Sequence, residues 1–444
     1  KESSAASDVY KRQPRSRTEA QLADLWQEVL NVPKIGVHDN FFELGGHSLI
    51  GMTLIARIQQ EMNVDLQLKD LFQAPTIETL AQAAAKAEKR SAVYIEAVPD
   101  RETYPVSSAQ KRLYVLQQIE GAEKSYHMPA VLQLEGKLNL KRLESAAQML
   151  IKRHEAFRTT FEIRDGEPVQ RISDAAELTI DVIDADEQEA EKLIAEFIRP
   201  FDLTKAPLFR MSIIRFTGEK HLLLVDMHHI ISDGASVSVL IDEMTRLYAG
   251  EALEPLRIQY KDFSVWQRHL LTERHKMQEE YWLKELDGEL PVLTLPTDYP
   301  RPSVQTFEGS RLSFALKPEL VQQLRRLAKE TDSTLYMVLA ASYSALLSKL
   351  SGQSEVIVGS PAAGRPHADL SRIIGMFVNT LAIRTRPEGD KPFSAFLEEV
   401  KETTLGAFEH QDYPFEELIE KLNIQRDMSR NPLFCLLYTS DAAD

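Results

Sequence analysis

Between Thr18 and Leu30 the apolar residues Leu22, Leu25, Trp26, Val29 and Leu30 fall at the i, i+3, i+4, i+7, i+8 spacing of an amphipathic helix. Thr18 with Gln21 three residues on predicts a capping box at its start. Pro33 and Gly36 break the pattern, and Asn31–Asn40 reads as a loop. After Gly45-Gly46 the run Leu49, Ile50, Met52, Leu54, Ile55, Ile58 predicts a helix apolar on most sides, which must sit among other helices. Leu68–Phe72 and Ile77–Ala87 read as a short and a longer helix, separated at Pro75. Together these make a small helical bundle. Lys86–Pro105 is polar, carries Pro99 and Pro105, and reads as a linker with one strand at Val93–Glu96. Beyond it, strand-like runs (Val131–Leu134, Leu208–Phe216, His221–Met227, Arg311–Leu316, Glu355–Gly359) alternate with helical ones. The helical runs are Leu140–His154, Ala235–Ala249, Lys261–Leu286, Pro318–Lys329 and Leu335–Leu350. Such alternation predicts α/β layers. The Pro-rich stretch Leu295–Pro302 lies near a plausible lobe junction.

Composition narrows the class. The chain has 444 residues, 43% apolar, with 52 Lys plus Arg against 67 Asp plus Glu and a formal charge of −15. That length allows several domains. A net acidic chain argues against general phosphate-backbone binding, which needs a basic face. No apolar run is long enough to span a membrane, and the first residues have no secretory core. A single cysteine excludes a disulfide framework and a Cys-based zinc site. The expectation is a cytoplasmic multidomain protein.

The two ends are unusual. One codon choice for Ser3–Gln13 (SSAASDVYKRQ) has a reverse complement that translates, in a shifted frame, as Cys435–Asp444 (CLLYTSDAAD). Unrelated termini have no reason to be complementary. Segments 3–13 and 435–444 are therefore expected to be translated sequencing adapter, with 14–434 the biological fragment.

Two motifs carry the chemistry. In Asp39–Leu49 (DNFFELGGHSL) a serine follows two glycines and opens the buried helix. A serine there caps a helix in the ordinary case. The glycines also permit close approach, and a helix N-terminus favours an anionic phosphodiester. No Lys follows the glycines, so this is not a Walker loop. The motif and its flanking helices, Thr18 to Ala87, resemble the peptidyl carrier domain of nonribosomal peptide synthetases. The resemblance implies a four-helix bundle with 4′-phosphopantetheine on Ser48 as a covalent cofactor. His47 matches carriers that feed condensation domains.

The second motif is Met227–Ser236 (MHHIISDGAS), at the end of an apolar strand and before a helix. Catalytic residues of α/β folds gather there. A third ligand at matching spacing is missing, so no metal is expected. A neutral imidazole serves as a base near neutral pH, and Gly234 permits close approach. The run resembles the HHxxxDG signature of condensation domains and chloramphenicol-acetyltransferase-like acyltransferases. Ser107–Leu116, Arg153–Phe161, Tyr260–Gln267, Ile374–Leu381, His410–Leu418 and Arg426–Phe434 match further condensation motifs in order.

The implied fold class is multidomain: a small all-α four-helix carrier bundle, then an α/β two-lobed chloramphenicol-acetyltransferase-like condensation domain. Expected boundaries are 14–88 for the carrier, 89–103 for the linker and 104–434 for the condensation domain. Its lobes divide near 275/276, and the second is truncated. By resemblance His229 is catalytic, either as general base or by positioning the acceptor amine. His228 is structural, Asp233 forms a buried ion pair with Arg365, Gly234 keeps the acceptor path open, and Asn379 supports the site from the opposite lobe. Tyr260 and Trp266 are expected in the core, and Arg153 and Arg158 in structural ion pairs. Implied partners are a phosphopantetheinyl transferase, an upstream adenylation domain and a downstream aminoacyl carrier, with no nucleic acid or membrane. The alternatives are an ester-forming or epimerisation-type relative and a non-catalytic carrier-docking module. A heterocyclisation domain would have aspartates at His228 and His229.

Overall fold

The computed structural model describes residues 12–46, 48–87, 95–119, 121–216, 219–273, 275–306, 308–424, 427 and 429–439. Four helices form the N-terminal bundle: α1 (Arg17–Leu30), α2 (Ser48–Met62), α3 (Leu68–Gln73) and α4 (Ile77–Lys86). Helix α1 buries Leu22, Ala23, Leu25 and Trp26, the face its periodicity predicts. Its cap differs from expectation. Ser16, not Thr18, is the N-cap, and its Oγ accepts the Glu19 N–H at 3.1 Å. Ser16 alone stands where the backbone is still extended, as a cap requires. Val93 and Tyr94 of the expected linker strand lie outside the described residues, and Ile95 and Glu96 form no strand.

The first α/β lobe comprises β1 (Tyr104–Pro105), α5 (Ser108–Leu116), β2 (His127–Glu135), α6 (Leu140–Arg153), β3 (Thr159–Arg164), β4 (Glu167–Ile172), β5 (Ile180–Asp184), α7 (Ala190–Phe197), β6 (Phe209–Arg215), β7 (Lys220–His228), α8 (Gly234–Ala249) and α9 (Tyr260–Glu273). Its larger sheet has the order β2-β7-β6-β5, with only β5 and β6 parallel. β7 reads KHLLLVDMH because it is a central strand, buried over most of its length on both faces. A smaller antiparallel sheet, β1-β4-β3, flanks it.

The second lobe holds α10 (His275–Glu285), α11 (Pro318–Glu330), α12 (Leu335–Ser351), β8 (Val356–Ala362), β9 (Asn379–Thr385), α13 (Phe393–Glu409) and α14 (Phe415–Lys421). The expected single helix Lys261–Leu286 is therefore two, and Trp282 of α10 joins the second lobe's core. Arg311–Leu316 is not a strand. Its alternation is real, but Leu312 and Phe314 are 87% and 82% exposed, and no described strand pairs with it. Residues 436–438 run beside β8: Gly359 N donates to Leu436 O (2.9 Å) and Tyr438 N to Gly359 O (2.8 Å).

The bundle rests on the second lobe. Phe72 of α3 stacks on Phe42 and packs against the cluster containing Ala328, Met337 and Phe396. Lys69 pairs with Glu409 at 3.3 Å, and Gln60 Nε2 donates to Asp369 Oδ1 at 3.2 Å.

Candidate active site and carrier serine

At the end of β7 the chain turns once through a 3-10 helix, His229–Ile231, before Asp233 caps α8. His228 is fully buried. Its Nδ1 accepts the Ile230 N–H at 3.0 Å, so its proton is on Nε2, which faces Gln117 Oε1 at 3.2 Å. Burial, helped by nearby His127 and His229, pushes the His228 imidazole down to about 3, which keeps it neutral. His228 thus shapes the turn.

His229 is half-buried, and its Nδ1 lies 2.8 Å from the Ser232 carbonyl oxygen. A carbonyl only accepts, so Nδ1 carries the proton and the lone pair of the neutral ring is on Nε2. The His229 backbone N–H is held by Tyr126 O at 2.8 Å.

The structure pairs Asp233 with Arg365. Arg365 Nη2 is 2.8 Å from Asp233 Oδ1, and both side chains are buried. Asp233 Oδ1 also accepts from Ser236 N at 2.7 Å, and Oδ2 accepts from Phe377 N at 3.1 Å. Arg365 donates to the Leu370 and Ile373 carbonyls and lies 4.0 Å over the Phe377 ring. Both charges therefore have several partners, the condition under which a buried pair is tolerated. Asp233 belongs to the first lobe and Arg365 to the second, so the pair pins the lobes together. Two neighbours complete the pin: Ser236, which sequence reasoning missed, and Tyr260, which it expected only as core. Ser236 Oγ accepts from Gly375 N at 3.1 Å, and the Tyr260 hydroxyl reaches both Ser107 Oγ (2.7 Å) and the Met376 carbonyl. The signal for Ser236 was its place three residues after the capping Asp233.

A Cβ on Gly234 would meet open space, which leaves the N-terminus of α8 approachable. Asn379 spends its amide on structure. Nδ2 donates to Gln411 O and Tyr413 O at 2.7 Å each, and Oδ1 accepts from Phe415 N at 3.2 Å. It nevertheless lines a cleft between the lobes with Ser108, Trp266 and Gln411, a cleft that His229 does not line. Trp266 is thus a wall of that cleft, while Tyr260 is core. Arg153 pairs with Glu243 at 3.0 Å as expected, but Arg158 departs from the expected ion pair: its guanidinium donates to the backbone carbonyls of Ile151 and Ser173. Among the described residues no cluster of His, Cys, Asp and Glu is arranged to hold a metal.

In the bundle, Ser48 is the first residue of α2. His47 lies outside the described residues. The preceding turn is fixed from within. Asn40 Oδ1 accepts from Phe42 N (2.9 Å), Gly46 N donates to Phe41 O (2.9 Å), and Gly45 has φ +98°. A Cβ on Gly46 would lie 2.4 Å from the Phe41 ring, so only glycine fits. That ring is itself locked edge-on to Trp26 at 5.0 Å. The result is a fifteen-residue helix whose N-terminus starts at a serine and adjoins two glycines. These residue types fit a phosphodiester-linked arm: a serine to carry it and a helix N-terminus whose dipole favours an anion.

Residues 100–439 match the family model for the condensation domain. The chain belongs to the condensation-domain family. Residues 20–84 match the model described as a phosphopantetheine attachment site, so a carrier domain with that covalent cofactor precedes the condensation domain. Surfactin synthase subunit 1 of Bacillus subtilis (strain 168) is 60% identical over 432 residues, 97% of this chain and 12% of that protein. Tyrocidine synthase 3 of Brevibacillus parabrevis is 51% identical over 97% of this chain and 7% of its own length. The chain thus spans about an eighth or less of these relatives. Among solved structures, the X-domain from teicoplanin biosynthesis matches with TM-score 0.72 and 26% identity over 78% of this chain and 79% of that one. The first condensation domain of the CDA synthetase matches in fold, with TM-score 0.62 and 21% identity over 76% of this chain and 80% of that one.

Proposed function

We propose that this chain is the carrier–condensation pair of a peptide synthetase, forming a peptide bond between a donor thioester on Ser48 and the amine of a downstream aminoacyl carrier. The arm, when bound, supplies a thiol that holds the acyl group as a thioester. On a loaded arm, the acceptor amine nitrogen would bond to the acyl carbonyl carbon as the C–S bond breaks, the amine proton going to the leaving sulfur. The observation that supports the reading is the His229 Nδ1 bond to Ser232 O, which leaves Nε2 as the ring's acceptor for an amine proton. His229 Nε2 takes or orients that proton. His228, Asp233 and Arg365 hold the turn, and Gly234 leaves the approach open.

The carrier is taken as 14–88 and the condensation domain as 104–434, supported by the family matches at 20–84 and 100–439. Resequencing the source locus with a different library chemistry tests the origin of 3–13 and 435–444. Partners in the same proposal are a phosphopantetheinyl transferase, an upstream adenylation domain and a downstream aminoacyl carrier. Among the described residues no helix is long and apolar enough to cross a membrane. A cytoplasmic location belongs to the proposal, and fractionation of the source cell checks it.

One observation favours a second reading, a carrier- or partner-docking module. The teicoplanin X-domain, 26% identical, was solved in complex with OxyB. An intact-mass series separates the two. The chain is loaded at Ser48 from an aminoacyl-coenzyme A by the transferase, and an aminoacyl carrier is added. Mass gained and then passed to the acceptor supports condensation. Loading without transfer supports docking. No loading overturns the carrier assignment.

A further inference from the structure

We infer that His127 is a positioning residue for the His228–His229 turn, and that it works as an imidazolium clamped between the Asp226 carboxylate and the Glu123 carbonyl. The inference rests on the reading that His229 acts in transfer.

The strand register brings these groups together. His127 on β2 lies directly opposite His228 on β7, and Pro129 lies opposite Asp226. Side chains two apart on a strand share a face, so His127, His228 and Asp226 form one cluster. His127 Nδ1 is 2.8 Å from Asp226 Oδ2, and Nε2 is 3.2 Å from Glu123 O. Both partners can only accept. A neutral imidazole has one N–H and could satisfy one of them, whereas the cation satisfies both. The His127 side chain is 2% exposed and that of Asp226 is fully buried, so water does not replace the ring as the partner of Asp226, while the Glu123 carbonyl also accepts from Gln117 Nε2 at 3.3 Å. The charge is compensated where it stands. Asp226 faces His127 directly, and Arg210 Nε on β6 approaches the same oxygen at 3.7 Å. The Phe201 ring stacks on His127 (5.0 Å) and takes the Arg210 guanidinium at 3.7 Å, an arrangement that favours cations.

His228 needs this neighbour. Its turn holds only while Nδ1 keeps the lone pair that accepts from Ile230 N–H. His127 and His229 are the titratable groups whose charges act on it, Asp226 and Arg210 stand beside His127, and the His127 ring is 6.2 Å away. A fixed cation there disfavours a second proton on His228. β2 also seats the turn directly, because Tyr126, next to His127, supplies the carbonyl that holds the His229 N–H. One buried ion pair thus anchors the strand end on which the turn rests.

The test is nitrogen-detected NMR of the full chain labelled with 15N-histidine, with signals assigned by His127→Asn and His228→Gln. At pH 8 we expect protons on both ring nitrogens of His127 and on Nε2 alone of His228. In Asp226→Asn, His127 should lose one proton, and His228 should populate its Nδ1–H tautomer as well. In the transfer assay Asp226→Asn and His127→Asn should lower kcat about tenfold or more with KM for the acceptor carrier and Ser48 loading unchanged. A single ring proton on His127 at pH 8 overturns the proposal even if no variant folds. An unaltered His228 tautomer in both variants overturns the positioning role. If His229→Ala transfers normally while His127 is doubly protonated, the reading of His229 fails and the charge assignment stands by itself.

Discussion

His229 donates Nδ1–H to the Ser232 carbonyl and keeps Nε2 for chemistry, so His229→Ala removes the acceptor without touching the strand or helix on either side. We expect transfer to fall by roughly 10²–10⁴-fold, the usual contribution of a positioned proton acceptor, with Ser48 loading unchanged. Single-turnover mass spectrometry reads both. Asp233→Ala is a different kind of change. It leaves Arg365 buried beside Phe377 without its counter-charge, at a cost of about 3–5 kcal/mol, and a lower urea midpoint checks it. His228 links the site to acid stability. Its folded pKa of about 3 lies below the unfolded value of about 6.5, so the unfolded state binds more protons in between. Its contribution is complete above about pH 6.5 and is lost as pH falls toward about 3, at roughly 1.4 kcal/mol per pH unit. His228→Gln should flatten that part of the stability–pH curve.

Elements with long, regular patterns were legible from residues alone. α1, α6 and α12 stand within a residue or two of where their periodicity puts them, and β7 where its apolar run does. The misses have physical causes. β3 and β4 form a hairpin around Asp165-Gly166, both with positive φ, a turn signal present in the sequence but flanked by the polar Arg164 and Glu167. Arg311–Leu316 has the alternation of a strand, but a strand also needs a ladder partner, which alternation does not encode. At the site, the His pair and Asp233 were legible because they are local. Ser236–Gly375 and His127–Asp226 depend on lobe contact and strand register, which spacing does not reveal. The turn before α2 makes a local prediction. Gly46→Ala forces a Cβ against a locked Phe41 ring and should cost about 3 kcal/mol. Gly45→Ala meets open space and pays only for its positive φ, about 1 kcal/mol. Chemical denaturation of the two variants checks the order.

For the whole molecule, the carrier's seat on the second lobe combines one aromatic anchor with polar contacts at its edge. Phe72 packs against the α11–α13 cluster, while Lys69–Glu409 is half-exposed. Exposed pairs contribute about 0–1 kcal/mol and weaken with salt, whereas aromatic burial does not. High salt should therefore leave the carrier seated, and Phe72→Ala should release it, seen as a larger radius of gyration by solution scattering.

The pin formed by Asp233 with Arg365, Ser236 with Gly375 and Tyr260 with Met376 works like the rivet of a pair of scissors. Blades can swing about a rivet while the metal beside it barely moves. His229 sits four residues from Asp233, close to that fulcrum. Any swing of the outer rims about that point would displace His229 less than residues farther from it.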